Sequence, residues 1–148
     1  MVNPFGEDAL VEQSAIKLFK DLGYDFLDCF DEAKTNIELG RENNSQVVLI
    51  PKLRSALKKL NKVSEKAIEQ AIKELTKDRS QLSIIKANEE VHKLIKEGVK
   101  VTTRNKKGEE EINLIKVIDF ENSEENDFFL ASQLWITGEV YKRRPDLI

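Results

Sequence analysis

Two acidic residues raise the question of chemistry first. Asp146 follows Pro145 and precedes Leu147 and Ile148, while Glu12 lies in a segment whose apolar residues recur at helical spacing. A Pro-Asp pair that opens an apolar run predicts the first residues of a buried strand, because proline is tolerated where no ladder donor is needed. An aspartate at such a mouth is held at the edge of a sheet, where a carboxylate can take a metal ion. Aspartate after proline also serves as a turn residue, and both roles stand at this point. The chain stops on the second apolar residue of that strand, so we expect it to be a stretch of something longer. Glu12, at about 100° per residue, falls between Phe19 and Ile16 on the helical wheel, inside the apolar arc. A carboxylate there needs an ion pair, a hydrogen bond or a metal, since a bare buried charge is costly. Partial exposure at the edge of the arc, or a Lys or Arg partner, would meet the same need.

Basic residues come in three groups: Lys142, Arg143 and Arg144 beside Asp146; Lys100, Arg104, Lys106 and Lys107; and Lys52, Arg54, Lys58, Lys59 and Lys62. The last group reads as a solvated helix face. His92 is the only histidine, pairs with no evident nucleophile and reads as structural. Trp135 and the phenylalanines sit in strand or helix patterns and read as core. No glycine-rich phosphate loop, zinc-ligand spacing or Ser/His/Asp arrangement is present.

The elements that must position these residues fall into a helical part, 7–98, and a strand-rich part, 99–148. Over 7–22, Val11, Ala15, Leu18 and Leu22 keep helical spacing, and Gly23 stands where a left-handed cap is expected. The stretch 24–30 is short and aromatic, compatible with either state. The polar stretch 38–45 reads as an exposed loop. Three helices follow: one introduced by Pro51 with Leu53, Ala56, Leu57 and Leu60; one capped by Ser64 with Ile68, Ile72 and Leu75; and one over 81–97 before Gly98. Val99, Val101 and Thr103 then alternate with polar residues up to a hairpin turn at Asn105-Lys106-Lys107-Gly108. A return strand is expected over 111–120, an acidic loop over 121–127, and a third strand over 128–137 with a bend at Gly138. Helices first and an antiparallel meander afterwards predict an α/β (α+β) fold with a mostly antiparallel sheet, a first helix packed on it and an inserted helical layer.

A length of 148 residues fits one domain, and with 34% charged residues and a net charge of -3 the chain has no apolar run of membrane-spanning length. The acidic balance confines any DNA contact to local patches. The first residues lack the regions of a secretory signal. A single cysteine, Cys29, cannot form an internal disulfide, suits a reducing cytoplasm and reads as a packed, inert thiol.

Three blocks, in order, resemble the nuclease core of type I restriction enzyme restriction subunits. They are Leu10-Val11-Glu12-Gln13 leading to Leu22-Gly23-Tyr24, then Val117-Ile118-Asp119-Phe120, then Thr137-Gly138-Glu139-Val140-Tyr141-Lys142-Arg143-Arg144-Pro145-Asp146-Leu147-Ile148. The resemblance covers essentially all of residues 1–148 and corresponds to the N-terminal part of such a subunit. It implies a restriction-endonuclease-like core of the PD-(D/E)XK superfamily, whose second signature, a carboxylate-x-Lys, would follow Ile148. It implies that Asp146 and Glu12 are catalytic metal ligands for Mg²⁺, that Lys142, Arg143 and Arg144 touch DNA phosphate, and that this stretch alone does not cleave. The complete subunit would bind double-stranded DNA, carry ATP-driven motor domains in the same chain and assemble with modification and specificity subunits. Because the helical insert over 32–98 is large for a minimal nuclease, a non-catalytic DNA-clamping or subunit-docking module is the alternative.

Overall fold

The structure, a computed structural model, describes Gly6 and residues 8–148, with only the backbone of Asp8 and Ala9. The expected helix start at residue 7 therefore lies outside the described residues. The chain mixes helices and strands and divides into two compact units. One runs up to Leu49 and resumes at Asp127 to Ile148; the other is Ile50–Asn126.

In the first unit a π-helical turn, Asp8–Glu12, leads into α1, Gln13–Asp21. Gly23 takes φ 91°, and the Tyr24 amide donates back to the Phe19 carbonyl at 3.0 Å, the left-handed ending expected of that glycine. The face that packs is not the one formed by Val11, Leu18 and Leu22, which are 60%, 57% and 65% exposed; Ile16 is buried and Phe19 half-buried instead. The apolar residues cover more than one stripe of the wheel, and packing selects the stripe that contains Glu12.

The undecided stretch after Tyr24 is a strand, β1, Asp25–Asp28. Ahead of the polar stretch lies a further helix: α2, Glu32–Leu39, is capped by the Asp31 carboxylate accepting from the Lys34 amide and closed by Gly40 at φ 64°, so that 38–45 is loop apart from its first two residues. Beyond it Arg41 is buried. Its guanidinium donates to the carbonyls of Gln46, Asn44 and Trp135 at 2.9, 2.8 and 3.0 Å, which supplies partners for an otherwise costly buried charge.

The second unit matches expectation more closely. Helices α3, Ile50–Leu60, α4, Glu65–Thr76, and α5, Ile84–Glu97, are followed by β2, Val99–Arg104, and β3, Glu110–Ile115. Ser64 and Ser83 accept from the amides of Ala67 and Lys86 as N-caps. Leu57, Ala67, Ile68, Ala71, Ile72, Val99, Val101 and Ile115 form one core, so the β2–β3 hairpin belongs with the inserted helices. The return strand is shorter than expected: it ends at Ile115, after which Asn61 pairs with both backbone groups of Lys116 at 2.8 Å.

Back in the first unit lie β4, Phe129–Ser132, β5, Ile136–Thr137, and β6, Lys142–Arg143. The third strand expected over 128–137 is thus broken at Gln133, which has φ 56°. Nor does β4 extend a meander from β3. It pairs parallel with β1, while β2–β3 and β5–β6 are antiparallel ladders. On its other edge β4 meets the chain end, with Ala131 and Ile148 exchanging backbone bonds at 2.9 Å and Ser132 bridging Leu147. The Pro-Asp pair therefore does lead into sheet pairing, but through an isolated bridge, with Ile148 exposed where a buried strand was expected. Cys29, Leu39, Ala131 and Leu134 form the core beneath.

Candidate functional site: two carboxylates on one amide

Glu12 stands where the π-turn passes into α1, with φ -61° and ψ -50°. The wider turn sets the phase of its side chain relative to Ile16, one α-helical turn on, and π-turns recur at functional positions. Asp146 sits at a bend just before the Ser132–Leu147 bridge, and its carbonyl accepts from the Gln133 amide at 3.0 Å. Between them lies the side-chain amide of Gln133. Its Nε2 donates to Glu12 Oε1 at 3.3 Å and Oε2 at 3.5 Å, and to Asp146 Oδ1 at 3.2 Å. Two carboxylates far apart in the sequence are thereby brought to one nitrogen.

Of the three basic residues beside Asp146, Lys142 bonds both Glu32 oxygens through Nζ at 2.9 and 3.1 Å and lies 4.4 Å from the centre of the Trp135 ring. That ion pair, with a further hydrogen bond from Asn44, lowers the pKa of Glu32. Arg144 lies 4.9 Å from the Trp135 ring and 5.2 Å from the ring of Phe30, and Arg143 lies 5.0 Å from that of Tyr141. Neither arginine has a carboxylate partner among the described residues. Trp135 is half-buried, so its ring serves as a platform for cations as well as a packing element.

Most of the other singled-out residues belong to the Ile50–Asn126 unit. Arg54 and Lys58 pair with Glu69 and Glu65 at 2.6 and 2.5 Å, so the helix group is partly neutralised within its own unit. Lys100, Arg104, Lys106 and Lys107 are exposed on the hairpin, and His92 is exposed on α5. Cys29 is fully buried, and burial raises its thiol pKa, as an inert thiol requires. Asp119, in the middle block of the resemblance, accepts from the amides of Glu121 and Asn122 and from Lys116, and so anchors its own turn.

Gln133 was not singled out from sequence. The only signal is the polar pair Ser132-Gln133 interrupting an apolar run, and nothing local tells that its amide reaches two distant acids. Among the described residues no three His, Cys, Asp or Glu side chains gather as a metal cluster. The site offers two carboxylates and an amide, all with oxygen donors, a set that suits a hard divalent cation retaining several waters.

The family model for the type I restriction enzyme R protein N terminus matches residues 4–148, and the chain belongs to that family. It is 31% identical over 141 residues to the type I restriction enzyme HindI endonuclease subunit of Haemophilus influenzae, covering 93% of this chain and 13% of that protein. It is 29% identical over 149 residues to a protein of Methanocaldococcus jannaschii provisionally named the type I restriction enzyme MjaIXP endonuclease subunit, covering 96% of this chain and 14% of that one. The chain thus spans only 13% and 14% of the length of these two curated relatives. No solved structure matches it at a significant level. Among the described residues, no helix is long and apolar enough to cross a membrane.

Proposed function

We propose that this chain forms part of the DNA-cleaving domain of a type I restriction endonuclease subunit, hydrolysing phosphodiesters with Mg²⁺ held by Glu12 and Asp146. The observation that carries the reading is the convergence of those two carboxylates on Gln133 Nε2. A bound Mg²⁺ would supply Lewis-acid chemistry, lowering the pKa of a coordinated water and offsetting charge on the phosphate. The chain's own residues hold and orient. Glu12 and Asp146 fix the cation's place, and Arg143 and Arg144, free of acid partners among the described residues, present their charge to the DNA backbone. The rest of a complete subunit would add an ATP-dependent translocase and contacts to modification and specificity subunits.

Asp146→Ala in the complete subunit tests this reading. Because a metal ligand is needed only for the phosphodiester step, cleavage should be abolished while ATP hydrolysis and translocation continue. Loss of translocation as well would assign Asp146 a structural role, and unchanged cleavage would remove it from the site.

One observation favours docking for the Ile50–Asn126 unit. Ile112, Leu114 and Phe120 expose apolar side chains (62%, 65% and 67%). Replacing Ile112 and Leu114 by serine should then weaken assembly with the other subunits and leave the folded state intact.

A further inference from the structure

Gln133 has an unusual backbone. It is the one described residue other than glycine with a positive φ, at 56°, a conformation in which a long side chain is disfavoured and glycine or asparagine is preferred. Its position asks for nothing else from the sequence: the residue lies just past β4, and its amide N–H bonds the Asp146 carbonyl, which any residue but proline would do. The length and chemistry of glutamine are used only at the tip. There Nε2 lies 3.3 Å from Glu12 Oε1 and 3.2 Å from Asp146 Oδ1. The amide has two N–H groups and two anionic neighbours, so the orientation with nitrogen towards the acids is the one electrostatics selects.

We propose that Gln133 is the positioning residue of the carboxylate pair, its amide nitrogen keeping the place of a divalent cation between Glu12 and Asp146 and turning its oxygen inward when the cation enters. The inference rests on the metal-site reading above. Two carboxylates brought to one spot repel, and a neutral donor between them offsets part of that repulsion without competing as a full charge would. A lysine there would form a stable ion pair and resist displacement. An amide leaves at the cost of two hydrogen bonds, and rotation about its last side-chain torsion turns the same group from donor into acceptor. Converged carboxylates held by a displaceable donor are a preorganised site.

The test uses the ¹⁵N-labelled 148-residue chain and two variants. Gln133→Gly suits the positive φ, should fold, and identifies the Gln133 side-chain NH₂ signals by their absence. Gln133→Glu keeps the shape but places a third carboxylate in the cluster. In the wild type, Mg²⁺ should shift the Gln133 NH₂ pair and trace Mn²⁺ should broaden it before any other side-chain amide. Gln133→Glu should melt below the wild type without cation. Mg²⁺ at about ten times its dissociation constant should raise its Tm by roughly 3–6 °C, more than it raises that of the wild type. If Mn²⁺ broadens the backbone amides of Glu12 and Asp146 while Mg²⁺ leaves the Gln133 NH₂ pair unmoved, and Gln133→Glu responds to Mg²⁺ as the wild type does, the positioning role is wrong and the metal site stands. If no signal near Glu12 or Asp146 responds and Mg²⁺ leaves all three Tm values unchanged, the metal reading fails and takes the inference with it.

Discussion

Asp119 shows how an acidic residue within a block of family resemblance can be a builder of structure. It is nearly enclosed, accepts from two backbone amides at 3.0 and 3.1 Å and from Lys116 Nζ at 2.9 Å, and its pKa is held at about 2. The amide of Asn122 is the largest cause, followed by Lys116. A carboxylate whose folded pKa lies below its unfolded value contributes stability that is fully present above the unfolded pKa and lost as pH falls through the folded one. That contribution is therefore complete above about pH 4 and disappears towards pH 2. Asp119→Asn should accordingly lower Tm at pH 7, with the gap to wild type closing between pH 4 and pH 2 in calorimetric scans. Glu12 stands out in the sequence for a different reason. The wheel places it on an apolar arc, which demands a partner, whereas an aspartate in a turn makes no such demand on the pattern. Gln133, the partner itself, was not legible, because a neutral polar residue in a strand-like run violates nothing that a local pattern can register.

Elements were legible where capping and periodicity agree, and were lost where long-range contacts decide. Ser64 caps its helix as expected, whereas the helix expected from 81 begins only after the Ser83 cap, and Val99, Val101 and Thr103 turn inward as the alternation requires. The stripe of α1 that would pack was not readable, since Val11, Leu18 and Leu22 are as apolar as Ile16 and Phe19; only the partner surface distinguishes them. The same holds for β4, whose parallel pairing with β1 joins segments about a hundred residues apart in sequence. Gly98 offers a test of element geometry. It has φ 89°, and a Cβ built there would lie 2.9 Å from the Ile115 carbonyl oxygen and 3.3 Å from two carbons of Leu114. Both the conformation and the close approach of β3 exclude a side chain. Gly98→Ala should destabilise the protein by about 1–3 kcal/mol in urea unfolding, and amide exchange should accelerate along the β2–β3 ladder. An unchanged midpoint would mean that the backbone adapts here at no cost.

At the scale of the whole molecule, a helical first part and a strand-rich second part describe the order of elements along the chain but not their assembly. The chain forms two compact units, and each has its own core: Leu57, Ile68, Val99 and Ile115 among others in Ile50–Asn126, and Cys29, Leu39, Ala131 and Leu134 in the other. Glu12, Gln133 and Asp146 all belong to the latter, whose chain is interrupted by the inserted unit. Damage to the insert's core should therefore register in the insert first. Leu57 is fully buried, and Leu57→Ala removes buried methyl groups and leaves a cavity, at about 2–5 kcal/mol. In native-state hydrogen exchange that variant should lose protection throughout α3, α4, β2 and β3 while the amides of β1 and β4 keep theirs. Leu130→Ala, at a 5% exposed position in β4, should give the opposite pattern. If either substitution lowers protection equally in both sets of amides, the two units unfold as one, and the site's stability is set by the insert as much as by the sheet beneath it.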